Sequence, residues 1–287
     1  MVTGIRLDRI SDRIIEYSIE SNLQNPIRFD PIGALILQLL AEVRLLKIRL
    51  RVLITSRPEV PIRYGFCQIP YAEHHDFILY NIEAAIMDHD IFTFLRHEMG
   101  SIGLERALGT GWPGEEALRK LVIIASRLFI WAATTCRFIR EGGRFARKRL
   151  DTILKGSSSA IRGLEEHLNE IYLTVLKHSI PSNYSEEEKE EACNILKHTL
   201  GSIVVLLLPL STSSLSRLLQ LPKEEVDQTF EDLYAILDIP KDLTYPLRLH
   251  HPSFRDFLLS KDRCGDFWVD FWVDKKQAHH TLAASYI

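Results

Sequence analysis

Leu50-Arg-Val-Leu-Ile-Thr-Ser-Arg-Pro-Glu59 opens with a near-continuous aliphatic run, passes through Thr55 and Ser56 to Arg57, and stops at Pro58. Strands buried on both faces carry such runs rather than strict alternation, so the spacing predicts a buried parallel strand. That strand would deliver Arg57 to the C-terminal edge of a sheet, where open α/β folds place their ligands. A nucleotide-binding sheet also needs a phosphate-cradling loop of the type Gly-x-x-x-x-Gly-Lys-Ser/Thr. No such run occurs in the 287 residues.

Before this stretch, Ile32, Leu35, Ile36, Leu39, Leu40, Val43 and Leu46 recur at helical spacing. A helix joined closely to a strand is half of an α/β unit. Ile10, Ile14 and Ile15 suggest a short earlier helix, and Phe77–Tyr80 a further short strand. Beyond residue 82 the pattern is helical. Asp88–Met99 is one helix, and Gly109–Gly114 breaks the chain. Ala117–Ile139 reads as one central buried helix, ended by Gly142-Gly143. Leu164 to Leu176 is amphipathic, and Ser185-Glu-Glu-Glu188 has the spacing of a capping box. From residue 211 the order becomes helix (Ser214–Gln220), turn, helix (Val226–Leu237), strand (Leu247–His250), helix (Phe254–Leu259), which is the order of a winged helix. A direct repeat follows, Phe267-Trp-Val-Asp270 and Phe271-Trp-Val-Asp274.

Composition narrows the class. Hydrophobic residues make up 46% and charged residues 25%, enough apolar material for a sizeable core. A net charge of -3 supplies no global field for nucleic acid. Cys67, Cys136, Cys193 and Cys264 are far apart, without metal-ligand spacing, and read as reduced thiols of a cytoplasmic protein. No apolar leader is visible, and the longest strictly aliphatic run, Ile203–Leu208, is too short to span a bilayer. The pairs His74-His75 and His279-His280 lack a third ligand nearby, so no metal site is expected. Neither a Gly-x-Ser-x-Gly elbow nor another catalytic arrangement is visible.

Four motifs in order carry a resemblance: Leu53-Ile-Thr-Ser-Arg-Pro-Glu59, Gly111-Trp-Pro-Gly-Glu-Glu116, Leu128-Phe-Ile-Trp-Ala-Ala133 and His250-His-Pro-Ser-Phe-Arg-Asp-Phe-Leu258. Over roughly residues 32–287 the chain resembles fungal NACHT-type signal-transduction ATPases of the STAND class. These are also called nephrocystin-3-like and are related to heterokaryon-incompatibility proteins with WD repeats. The resemblance implies a mainly α chain with a small α/β remnant: a partial P-loop-type sheet, a helical domain and a winged-helix domain. The expected divisions are 1–81, a truncated C-terminal part of the NACHT core; 82–156, the helical domain; 157–262, the helical and winged-helix domain; and 263–287, the start of a further helical segment.

Intact relatives bind ADP or ATP with magnesium and switch between closed and assembled states. By resemblance, Arg57 matches the arginine that senses the γ-phosphate, His251 the winged-helix histidine on the ADP β-phosphate, and Arg127 and Leu128 the adenine side. The residues also allow plainer accounts. Arg57 suits a solvated strand end, and His251 suits a cap for the helix at Ser253. The sequence departs from the family by lacking the P-loop and the acidic magnesium-binding strand, and Arg127 stands where the family has glycine.

The expectation is therefore a non-catalytic regulatory and interaction module, with no cofactor of its own. Its partners would be proteins, including an intact NACHT relative, and not membrane or nucleic acid. The alternatives are a nucleotide switch completed in trans by a partner's P-loop, and a degraded product without independent function. An incomplete sheet predicts self-association through its open edge unless residues 1–30 cover it. Arg137, Arg140, Arg144, Arg147, Lys148 and Arg149 read as a solvated basic helix end. The second helix of the winged-helix pattern opposes Lys223 with Glu224, Glu225, Asp227, Glu231 and Asp232, which disfavours a DNA backbone.

Overall fold

A computed structural model describes residues 2–6, 51–55, 74–77, 82–156, 164–206, 208–240, 242, 244–264 and 271–284. The chain falls into two compact units, Met1–Glu83 and Ala84–Ile287.

In the first unit, β1 (Val2–Arg6) lies between β2 (Arg51–Thr55) and β3 (His74–Phe77). It is antiparallel to both, with Gly4 opposite Leu53 on one side and His75 on the other. The strand expected at residues 50–54 is present, but its partner runs antiparallel instead of parallel. A near-continuous apolar run is the usual pattern of a parallel strand, but it does not fix the direction of the strand's neighbour. The helices expected near Ile10–Ile15 and Ile32–Leu46 lie outside the described residues, as do residues 78–80 of the third expected strand.

The second unit is mainly helical. It begins with α1 (Ala84–Glu105), α2 (Glu115–Ala125), α3 (Phe129–Glu141), a single 3-10 turn at Gly143–Phe145, α4 (Ala146–Gly156) and α5 (Leu164–His178). Ile91, Leu95, Met99 and Ile102 follow one another at spacings of four, four and three, so α1 turns one continuous stripe inward. Trp131, Phe138 and Ile139 of α3 join the same core, and α3 touches α1, α2, α4 and α5. It is the central helix that the sequence predicts, but a shorter one. Ala117–Ile139 is divided because Ser126 (φ 46°) and Arg127 (φ 66°) adopt the left-handed conformation and end α2. Neither glycine nor proline marks that break, and the apolar pattern runs straight across it.

The chain continues with α6 (Glu186–Val205), α7 (Thr212–Leu219), α8 (Lys223–Phe230), β4 (Leu237–Asp238), β5 (Arg248–Leu249), α9 (Pro252–Leu258), α10 (Lys261–Cys264) and α11 (Lys275–Ala284). The capping box at α6 is complete. Ser185 Oγ accepts from Glu188 N at 3.2 Å, and Glu188 Oε2 accepts from Ser185 N at 2.6 Å. Helix α8 is shorter than its apolar spacing suggests. Leu233 lies in turns after it, and Leu237 pairs with Leu249 in an antiparallel hairpin. The hairpin wins because His250 fixes it. Its N–H donates to Ile236 O at 3.1 Å, and its Nε2 lies 3.0 Å from Tyr234 O.

Tyr172 of α5 packs edge-on against Phe254 and tilted against Phe257, with centroids 5.0 and 5.5 Å away. Each such pair contributes about 0.5–1.5 kcal/mol beyond its buried area. The second copy of the repeat also enters the core, with Phe271 and Val273 buried. Val273 N donates to Leu258 O at 2.9 Å, and α6 admits its side chain through Gly201, whose added Cβ would sit 3.3 Å from Val273 Cγ1. The first copy, 267–270, lies outside the described residues. Among the described residues, no helix is long and apolar enough to cross a membrane.

Candidate functional site

Three of the four residues singled out by resemblance fall within the described part of the chain. Arg57 lies outside it, two positions beyond the end of β2. His251 is extended (φ -153°, ψ 140°) and caps α9, with Pro252 in its first turn. Its Nδ1 accepts from Ser253 N at 3.2 Å and lies 2.6 Å from Ser253 Oγ. Ser253 Oγ in turn lies 2.8 Å from Tyr172 OH. Burial pushes the Tyr172 phenol up, and the bond to Ser253 opposes that rise. The capping account weighed for His251 thus describes its geometry. The histidine also belongs to a chain of three side chains joining α9 to α5.

Arg127 and Leu128 sit at the α2–α3 junction. Leu128 is extended and begins α3 without a side-chain cap. Arg127 Nε lies 3.6 Å from Asp88 Oδ1, both side chains about half exposed, an ion pair of little energetic weight. The position where the resembling family has glycine has φ 66° here, a region that glycine enters without steric cost.

The basic run 137–149 does not form one solvated face. Arg140 pairs with Glu98 at 3.1 Å and Glu105 at 3.4 Å, both on α1. Arg137 Nη1 donates to Ala235 O at 3.5 Å, and Arg147 Nη2 donates to Leu108 O. Arg144 and Lys148 are exposed, and Arg144 lies over the Phe145 ring. Arg149 points inward and is 7% exposed. The expected solvated helix end is corrected by the corner between α3 and α4, which folds Arg149 back beneath α3.

Arg149 anchors a polar seam that sequence reasoning missed. Its Nη1 donates to Phe138 O at 2.6 Å, and its guanidinium lies 4.5 Å from the centre of the Phe138 ring. Its Nη2 lies 3.8 Å from Asp232 Oδ1, in the turn after α8. Gly142 leaves room for its stem, since a Cβ there would stand 2.6 Å from Arg149 Cδ. Beside it, burial raises the Glu141 carboxyl to about 8; Arg149 opposes that rise and Asp232 adds to it. Glu141 Oε2 and Arg149 Nε are both buried without a hydrogen-bond partner. His178 packs edge-on against Phe138 at 5.3 Å, and burial holds it below the ordinary imidazole range. The seam ties α3 and α4 to the turn leading into the β4–β5 hairpin. Its only trace in the sequence is an arginine at the fourth position of a helix, indistinguishable there from its exposed neighbours.

Two other features bear on chemistry. A cleft of about 170 Å³ is lined by aliphatic residues of α6, α7 and β5, with Arg248 and Arg255 among its walls. Cys136 is buried with its thiol pushed up to about 12, and the buried Cys264 thiol donates to Phe257 O at 3.4 Å. Among the described residues, no group of three or more His, Cys, Asp or Glu side chains is arranged to hold a metal ion. The chain matches no protein-family model, no curated protein and no solved structure.

Proposed function

We propose that this chain is a non-catalytic regulatory and interaction module of NACHT ancestry, acting in the cytoplasm on protein partners that include an intact NACHT relative. One observation carries the reading: the backbone of Arg127. The family resemblance places glycine at this position, and the chain keeps a left-handed φ of 66° there although it carries arginine. A glycine-type conformation at a position where the family carries glycine supports descent from a glycine-bearing ancestor. The order α7, turn, α8, hairpin and His251-capped α9 supports the winged-helix part of the reading. The antiparallel sheet of the first unit supplies no part of it.

On this reading His251 and Tyr172 serve packing, and nucleotide is not held. Without the amides and lysine of a P-loop, a triphosphate has no cradle, and without an acidic strand end magnesium has no anchor. Isothermal titration of the full chain with ADP, and with ATP plus magnesium, should give no micromolar binding. Micromolar affinity that disappears in Arg57→Ala would overturn the proposal and restore a nucleotide switch.

A further inference from the structure

The polar seam contains a buried carboxyl oxygen and a buried guanidinium edge that lie in one cluster without satisfying each other. Glu141 Oε2, at the end of α3, has no hydrogen-bond partner, and neither has Arg149 Nε on α4. Arg149 meanwhile reaches the other way, to Asp232 at 3.8 Å and to Phe138 O at 2.6 Å. The charges acting on Glu141 are Arg149 from α4, Asp232 from the turn after α8, and Arg137 from α3 itself. His178 of α5 and Lys148 of α4 share the surroundings of Arg149 and Asp232. On the α1 side, Glu98 and Glu105 are already engaged by Arg140.

We propose that Arg149 exchanges carboxylates as Glu141 loses its proton, pairing with Asp232 in the acid form and with Glu141 in the alkaline form. A neutral Glu141 asks little of its neighbours, so Arg149 is left to Asp232. An ionised Glu141 buried without a partner costs far more than the long contact to Asp232 contributes. Arg149 Nε is an unpartnered donor of the same seam. Asp232 is half exposed and gives up its partner to water cheaply. The exchange therefore ties the α3–α4 corner to the hairpin side of the unit at lower pH and releases that tie at higher pH.

The test is NMR of the full chain with carboxyl-labelled glutamate and labelled arginine, titrated from pH 5 to pH 10. The Glu141 signal is assigned by its loss in Glu141→Gln, and the Arg149 Nε–H signal by its loss in Arg149→Lys. Expected are a Glu141 midpoint above pH 7 and an Arg149 Nε–H resonance that moves with the same midpoint. That movement should vanish in Glu141→Gln. Asp232→Asn, at a half-exposed side chain, should lower the proton affinity of Glu141 about tenfold. A Glu141 midpoint in the ordinary carboxylate range would overturn the proposal. So would an Arg149 Nε–H resonance that ignores the Glu141 titration.

Discussion

At its N-terminal end α3 is joined to α2 through Ser126 and Arg127, both left-handed and neither a glycine. At its C-terminal end it turns into α4 through Gly142 and Gly143. Of these two, only Gly143 has a positive φ, 51°, while Gly142 is ordinary right-handed backbone at φ -58°. Glycine is thus absent at two positions whose dihedrals favour it and present at one whose dihedrals do not require it. At Gly142 the requirement is space, because the Arg149 stem occupies the volume a Cβ would fill. At the other end the left-handed pair sits between Leu121 and Ile124 of α2 and Trp131 of α3, all buried. One end spends glycine on a neighbour's side chain, and the other tolerates strain because the packing over-determines it.

The strongest test of this contrast is a double-mutant cycle at the glycine end. Arg149→Ala should cost about 3 kcal/mol, since it removes a buried stem, its bond to Phe138 O and its stacking on the ring. Gly142→Ala alone should cost about 2 kcal/mol by overpacking. In the Arg149→Ala background the same Gly142→Ala change should lose most of its penalty, because the Arg149 stem is gone and only the 3.1 Å approach of the new Cβ to Ile139 O remains. Urea unfolding at pH 7 measures all three. An unchanged Gly142→Ala penalty in both backgrounds would mean that space is not what the glycine supplies.

The second test concerns the charge that this corner buries. Glu141 is raised from 4.5 to about 8 in the folded chain, so between those values the folded state holds the extra proton. Stability therefore falls as pH rises through that window. Glu141→Gln cannot ionise and should remove the fall. The variant should gain over the parent on the order of 2 kcal/mol by pH 9, and the two should converge near pH 5. Parallel stability profiles for parent and variant across that range would refute this.

These residues also show how far the sequence could be read. The periodicity of Ile91, Leu95, Met99 and Ile102 is a local property of one helix, and the capping box at Ser185 is a local contract between a side chain and a backbone. Both are legible without knowing the rest of the chain. The helix–turn–helix order around Pro222 was legible for the same reason. The hairpin was half legible: Leu247–His250 alternates, but its partner Leu237–Asp238 continues an apolar helical spacing, and only pairing across the chain decides against it. The break at Ser126 and the burial of Arg149 were not legible. The burial of Arg149 depends on Asp232, far along the chain, and neither serine nor arginine advertises its conformation. Of the candidate site, His251 was placed at the start of its helix by its neighbours Pro252 and Ser253. The Glu141–Arg149–Asp232 seam spans 92 positions and has no local signature.

The smallest expected effect lies at the non-glycine end, and its sign carries the information. Arg127→Gly relieves a left-handed side chain, a relief of about 1 kcal/mol. It also frees the unfolded chain at that residue, which costs about 0.5 kcal/mol or more. The ion pair to Asp88, 3.6 Å long between half-exposed side chains, contributes close to nothing. The net should be a gain of a few tenths of a kcal/mol, about a degree in melting temperature for a unit of this size. Arg127→Val keeps the missing-glycine geometry and adds a branched Cβ, which the left-handed region tolerates worst. It should lose about 1–2 kcal/mol. Melting curves that rank glycine above arginine above valine identify the junction as backbone strain held by packing. A loss on Arg127→Gly would show instead that the arginine side chain, through contacts beyond Asp88, holds α2 and α3 apart.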